Sequence, residues 1–130
     1  MGIIFDSAAE MKYYRDVVVP GLESGSVKKC ERQVKYVLQP AFISRGKKIS
    51  AITYVADFVV EDKDGHIQVI DIKGCPDSIA KIKRKLFLYK YPEIDYVWLG
   101  HSKLDGGWVE YEKIQEGRKR RKKEKDKKER

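Results

Sequence analysis

Apolar and polar residues alternate with a period of two along two neighbouring stretches, residues 53–60 and 67–73, which predicts a pair of β-strands. Residues 61–66 between them contain Asp64-Gly65, a strong turn signal, so the strands are expected to form a hairpin. Near the start the period changes. Asp6-Ser7 offers an N-cap, Glu10 follows Ser7 at the capping-box spacing, and Ala9, Tyr13 and Val17 recur at helical intervals. This predicts a helix to about Val19, stopped by Pro20-Gly21. Residues 23–29 read as a polar loop, and residues 33–39 alternate as a strand that stops at Pro40. A turn at Arg45-Gly46-Lys47 leads into the long strand, and Gly74-Cys75-Pro76 ends the hairpin. Asp77-Ser78 then caps a second helix to about Tyr89, with Ile79, Ile82, Leu86 and Tyr89 as its apolar stripe. Residues 94–99 are apolar enough for an inner strand, and residues 108–111 suit an edge strand. The order helix, three strands, helix, strand predicts an α/β fold, a mixed sheet flanked by helices.

The hairpin carries the candidate chemistry. Asp71 and Lys73 are two apart and project from one strand face, and strand pairing can bring Asp57 to that face. Two carboxylates and an ammonium are costly to bury on an apolar sheet without a task. Holding a hard divalent cation beside a phosphodiester is such a task. The plainer alternative is a cross-face ion pair on an exposed sheet, but Ile70 and Ile72 beside Phe58, Val59 and Val60 place this strand inside. Glu10 has a competing role as the capping-box acid, and Gln39 either faces the site or simply ends its strand before Pro40.

Charge changes the picture only once it is located. The chain has a net charge of +8, yet residues 118–130 hold ten basic and three acidic side chains, leaving the rest almost neutral. The chain is therefore expected to be one domain, residues 1–114, followed by a disordered basic tail, residues 115–130. Such a tail attracts nucleic-acid phosphates without reading sequence, through Arg118, Lys119, Arg120, Arg121, Lys122 and Lys123. Lys81, Lys83 and Lys85 follow the hairpin on the second helix, and at most one or two of them can share a DNA-facing side. Tyr13, Tyr14, Tyr36, Tyr54 and Trp98 are expected in the core, Trp108 at an exposed contact. Cys30 and Cys75, far apart, read as free thiols of a reducing compartment. No stretch approaches the roughly 18 apolar residues of a membrane span, and no secretory leader is evident, so a cytoplasmic location is expected.

Four stretches in this order, Ile4-Phe5-Asp6-Ser7-Ala8-Ala9-Glu10, Leu38-Gln39-Pro40-Ala41-Phe42, Ile52-Thr53-Tyr54-Val55-Ala56-Asp57-Phe58 and Val69-Ile70-Asp71-Ile72-Lys73-Gly74, resemble the PD-(D/E)XK nuclease superfamily. Within it the chain is similar to small phage-encoded nucleases of the Holliday-junction-resolvase-like kind, over roughly residues 3–100. One departure is Ala56, which stands where the name-giving Pro would be. The resemblance implies a restriction-endonuclease-like core and a Mg²⁺- or Mn²⁺-dependent endonuclease acting on DNA, with branched DNA as first substrate. Asp57 and Asp71 would be the metal ligands, with the Ile72 carbonyl and Glu10 completing the site. Lys73 would orient the attacking water or stabilise charge on phosphorus. A homodimer, a bacterial host cytoplasm and a phage replication, recombination or packaging partner are the expected setting. The alternatives are a non-catalytic nucleic-acid-binding module, or a nuclease subunit recruited through Trp108 and the tail.

Overall fold

A computed structural model describes residues 3–129. Its centre is a five-stranded sheet in the order β1-β4-β5-β6-β7: β1 Val27–Gln39, β4 Ile52–Asp62, β5 Ile67–Ile72, β6 Asp95–Ser102 and β7 Gly107–Glu110. β5 and β6 run parallel, joined by α3 (Ser78–Lys90), and every other neighbouring pair in this sheet is antiparallel. The sheet is therefore mixed, and the α/β expectation holds. β2 (Phe42–Ser44) and β3 (Lys47–Ile49) form a separate ribbon between β1 and β4. Among the described residues no helix is long and apolar enough to cross a membrane.

One core lies on each face. On one side Tyr13 and Val18 of the opening helical segment cover Phe58 and Ile70. On the other, Phe87 of α3 sits among Tyr54, Val69 and Tyr96, with its ring centre 4.5 Å from that of Tyr96. Phe58 and Phe87 are fully buried, and each such ring contributes roughly 1.5–3 kcal/mol through burial.

The structure differs from the sequence reading in several places, each with a physical reason. The opening helix does not stop at Pro20: α1 (Ala8–Tyr13) passes into a π-helical turn, Tyr14–Val18, and then α2 (Val19–Ser24), ended by Gly25 at φ 85°. Val19 N–H donates to the Tyr14 carbonyl, so the helix carries a widened register just ahead of Pro20, the residue that has no N–H with which to continue the ladder. α3 is also rotated from the expected orientation. Ile79, Ile82 and Tyr89 are exposed, and the inward face carries Ala80, Lys83, Arg84 and Phe87. The aromatic cluster around Phe87 outweighs the aliphatic stripe. Trp108 packs inward, its ring edge-on to Tyr13 at 5.1 Å, rather than standing at an exposed contact.

The supposed disordered tail is helical: α4 spans Tyr111–Lys128, while Arg130 lies outside the described residues. Beyond Gly117 the chain has no Gly or Pro to break a helix. Tyr111, Ile114 and Gly117 dock α4 on the body, and Arg121 forms a two-pronged pair with Asp105 at 2.8 and 3.2 Å.

The sheet contains one reversal. On a regular strand residues 54, 56, 58 and 60 share a face. Here Tyr54 and Ala56 belong to the α3-side core, whereas Phe58 and Val60 belong to the opposite one. β1 makes the same change, with Tyr36 and Leu38 on one side and Cys30 on the other. Both switches occur between the pairs Arg32–Phe58 and Val34–Ala56, where Gln33 holds φ at 54°. This left-handed conformation costs a non-glycine residue roughly 1–2 kcal/mol. Gln33→Gly should be neutral or stabilising by up to about 1 kcal/mol, and Gln33→Val, β-branched, destabilising by about 1–2 kcal/mol. Urea unfolding measures both; a valine variant as stable as the wild type would contradict the assignment.

Candidate active site

The β4–β5 ladder ends at the pair Phe58–Ile70, and the next rung would oppose Asp57 to Asp71. The strands part there, and side chains take over the bonding. Ile72 N–H donates to Asp57 Oδ2 at 2.8 Å, and Asp57 N–H donates to Asp71 Oδ1 at 3.4 Å, a long contact. A buried N–H left without a partner costs about 1–3 kcal/mol, so the carboxylates satisfy backbone that the split would otherwise strand. Lys73 N–H donates to the Leu99 carbonyl at 2.8 Å, fastening the end of β5 to β6. Its ammonium lies 2.9 Å from Asp71 Oδ2.

The four residues expected at the site thus meet at one place. Asp57, Asp71 and Lys73 line a cleft of about 410 Å³ between the parted strands and the start of α3. Glu10 enters from α1: Ser7 Oγ accepts its backbone N–H at 3.1 Å, while its carboxyl is buried and lies against Asp57. The capping role and the site role therefore coexist, one using the backbone and the other the side chain. At Ile72 the N–H is the group that meets Asp57.

Burial, then the Asp71 charge, pushes Asp57 up to about 8; the Ile72 N–H works against this, and Glu10 adds to it. The cleft is short of positive charge. Glu10 Oε2 and Asp71 Oδ2 are buried without a hydrogen-bond partner, since Lys73 approaches Asp71 at ion-pair distance without hydrogen-bond alignment. The Tyr54 hydroxyl is also buried without an aligned partner; burial and the Asp71 charge hold it well above the usual phenol range. Tyr96, beside it, accepts from Trp98 Nε1 at 2.8 Å and is raised to about 12, mainly by burial.

Other expected residues scatter. Gln39 ends β1 opposite Ile52, exposed and five residues along β4 from Asp57, so it is not brought to the cleft. Lys83 does line the cleft, whereas Lys81 and Lys85 lie along a groove between α3 and α4. Arg118 borders a small cavity of about 150 Å³ on the other side of Lys73. Lys119, Arg120, Lys122 and Lys123 are exposed on α4, while Arg121 is committed to Asp105. The sequence reading missed Tyr54 as a cleft residue. Tyr54 and Asp57 are three apart and should face opposite ways on a regular strand; only the reversal places both in the cleft.

Among the described residues no three His, Cys, Asp or Glu side chains form a ready-made metal cage. The donor set nevertheless suits a hard cation: oxygen ligands only, two buried carboxylate oxygens without a hydrogen-bond partner, and an Asp57 carboxyl whose charged form burial and the Asp71 charge disfavour until a cation offsets it. A family model described as "Protein of unknown function (DUF1064)" matches residues 1–105, a span that includes Glu10, Asp57, Asp71 and Lys73 and excludes all of α4. No curated protein matches the chain.

The raised Asp57 carboxyl gives a pH signature. Folded protein holds an extra proton between the ordinary value of 3.8 and about 8, so stability falls as pH rises through that window. Asp57→Asn keeps a neutral group at every pH and should remove that loss. In EDTA, the wild type should melt progressively below the variant between about pH 5 and about pH 8; a constant gap between the two melting curves would contradict the burial argument.

Proposed function

The chain belongs to the DUF1064 family, and we propose that it is a divalent-metal-dependent nuclease of the PD-(D/E)XK superfamily that hydrolyses DNA phosphodiesters. The observation that carries this reading is the meeting of Asp57, Asp71 and Lys73 in one cleft, with the Glu10 carboxyl beside them. Asp57 and Asp71 would hold Mg²⁺ or Mn²⁺, with Glu10 and the Ile72 carbonyl as further oxygen donors. Bound there, such an ion would acidify a water and neutralise phosphate charge.

The protein's own side chains divide the remaining work. Lys73, tethered at its backbone to β6 and with its ammonium against Asp71, would offer its positive charge to a phosphoryl oxygen in the cleft. Its role is charge stabilisation and orientation. Lys83, on the cleft wall, offers a second positive group to the phosphate backbone. The restriction-endonuclease-like core is part of the same proposal, supported by the mixed sheet with a helix entering from each face. A branched substrate cut by a homodimer, in phage replication, recombination or genome processing, is the setting this reading favours.

The test is cleavage of four-way junction, duplex and single-stranded DNA with Mg²⁺, Mn²⁺ or EDTA. Wild type should cut only with a divalent ion. Asp57→Ala and Asp71→Ala should abolish cutting, and Lys73→Met should lower it by about 10²–10³-fold, with the fold retained in each. Full activity in either aspartate variant would remove the site. Binding without cutting under every cation would instead favour a non-catalytic nucleic-acid module.

A further inference from the structure

Residues 34–56 contain four basic side chains, Lys35, Arg45, Lys47 and Lys48, and no Asp or Glu. Three of the four occupy the β2–β3 ribbon and its turn. Arg45 and Gly46, at φ 50° and 74°, form the two-residue left-handed turn that suits a tight hairpin. Every residue of the two strands is exposed. The cross-strand pairs are Phe42–Ile49, Ile43–Lys48 and Ser44–Lys47, and opposed residues share a face. Each face thus shows both an apolar side chain and a lysine. Ile43 is 75% exposed and Phe42 45%.

Two three-residue strands with no third strand and no covering helix have little stability of their own, so the ribbon gains most from a partner. Its root is firm. Lys90 Nζ and Tyr91 Oη of the α3 end both donate to the Val37 carbonyl, at 2.8 and 2.9 Å. What covers the ribbon must accept cations that no acid of residues 34–56 offsets. A second copy of the ribbon would set like charges together, whereas a nucleic-acid backbone is a uniform polyanion.

We propose that the β2–β3 ribbon is a DNA-binding arm that lays Arg45, Lys47 and Lys48 along the phosphates of the duplex flanking the cut and presses Ile43, on the face it shares with Lys48, into its minor groove. The proposal rests on the nuclease reading for its partner, but its test does not require cutting. Lys47 precedes Asp57 by ten residues, so the arm reaches at most about 35 Å from the cleft, or about ten base pairs of duplex.

The experiment compares the full-length wild type with Arg45→Ala/Lys47→Ala/Lys48→Ala, by fluorescence anisotropy on labelled duplex in EDTA over a range of salt. Loss of three phosphate contacts should weaken binding and make the slope of log affinity against log salt shallower by about 2–3. Ile43→Ala should weaken binding with the slope unchanged. Unchanged affinity and slope in the triple variant would overturn the arm, as would a wild type that does not bind duplex. A triple variant that keeps its DNA affinity but elutes as a monomer where the wild type is a dimer would also overturn it, by making the ribbon a contact between copies. The expected loss in the triple variant, beside a wild type that cuts nothing, would support the arm and defeat only the nuclease reading.

Discussion

The rest of the site depends on how the sheet ends between β4 and β5. Where the ladder stops at Phe58–Ile70, two carboxylates replace the missing backbone acceptors: Asp57 takes the Ile72 N–H and Asp71 reaches the Asp57 N–H. The strands can separate without leaving buried donors unpaired, and the same side chains that seal the split line the opening it creates. Each aspartate has one oxygen turned to backbone, which fixes its position. Charge then accumulates in a buried place, where burial and Asp71 raise the Asp57 carboxyl and Lys73 pairs with Asp71.

The surrounding fold keeps that opening in place. Phe58 and Ile70, packed under Tyr13 and Val18, anchor the last closed rung. The parallel β5–β6 pair, including Asp71 opposite Trp98, supports the far side, and the α3 crossover places Lys83 on the cleft wall. On the near side the reversal at Gln33 turns Tyr54 into the cleft. A left-handed non-glycine residue beside the site is strain that the long β1–β4 pairing overcomes. The ribbon and α4 extend from this frame in different ways: α4 is docked through Gly117, where a Cβ would come within 2.1 Å of Asp105 Oδ1, whereas the ribbon stands free of the body.

Local patterns made the centre of the molecule legible. The alternation of residues 53–60 and 67–73 and the Asp64-Gly65 turn were enough to place Asp57 and Asp71 in one hairpin, and capping chemistry found both Ser7 and Asp77. What escaped was whatever depended on competition between distant parts. The rotation of α3 follows from aromatic rings on three strands outbidding Ile79, Ile82 and Tyr89, which no periodicity of the helix itself reveals. Trp108 is drawn inward by Tyr13, nearly a hundred residues away. The face reversal at Gln33 breaks the two-residue period on which the strand argument stands, so Tyr54 was unreadable as a neighbour of Asp57. The end of the chain looked disordered because its charge dominates; the three small anchors Tyr111, Ile114 and Gly117 carry too little hydrophobic signal to show that its first turns dock.

On the proposed reading, the parted strands form a cation site shared by two aspartates. Crystals grown with Mn²⁺ test it directly through the metal's anomalous scattering. A peak is expected in the cleft within about 2.2 Å of carboxylate oxygens from both Asp57 and Asp71, with the Lys73 ammonium displaced from Asp71. A manganese ion bound elsewhere, or a cleft in which Lys73 keeps its place on Asp71 at saturating metal, would contradict it.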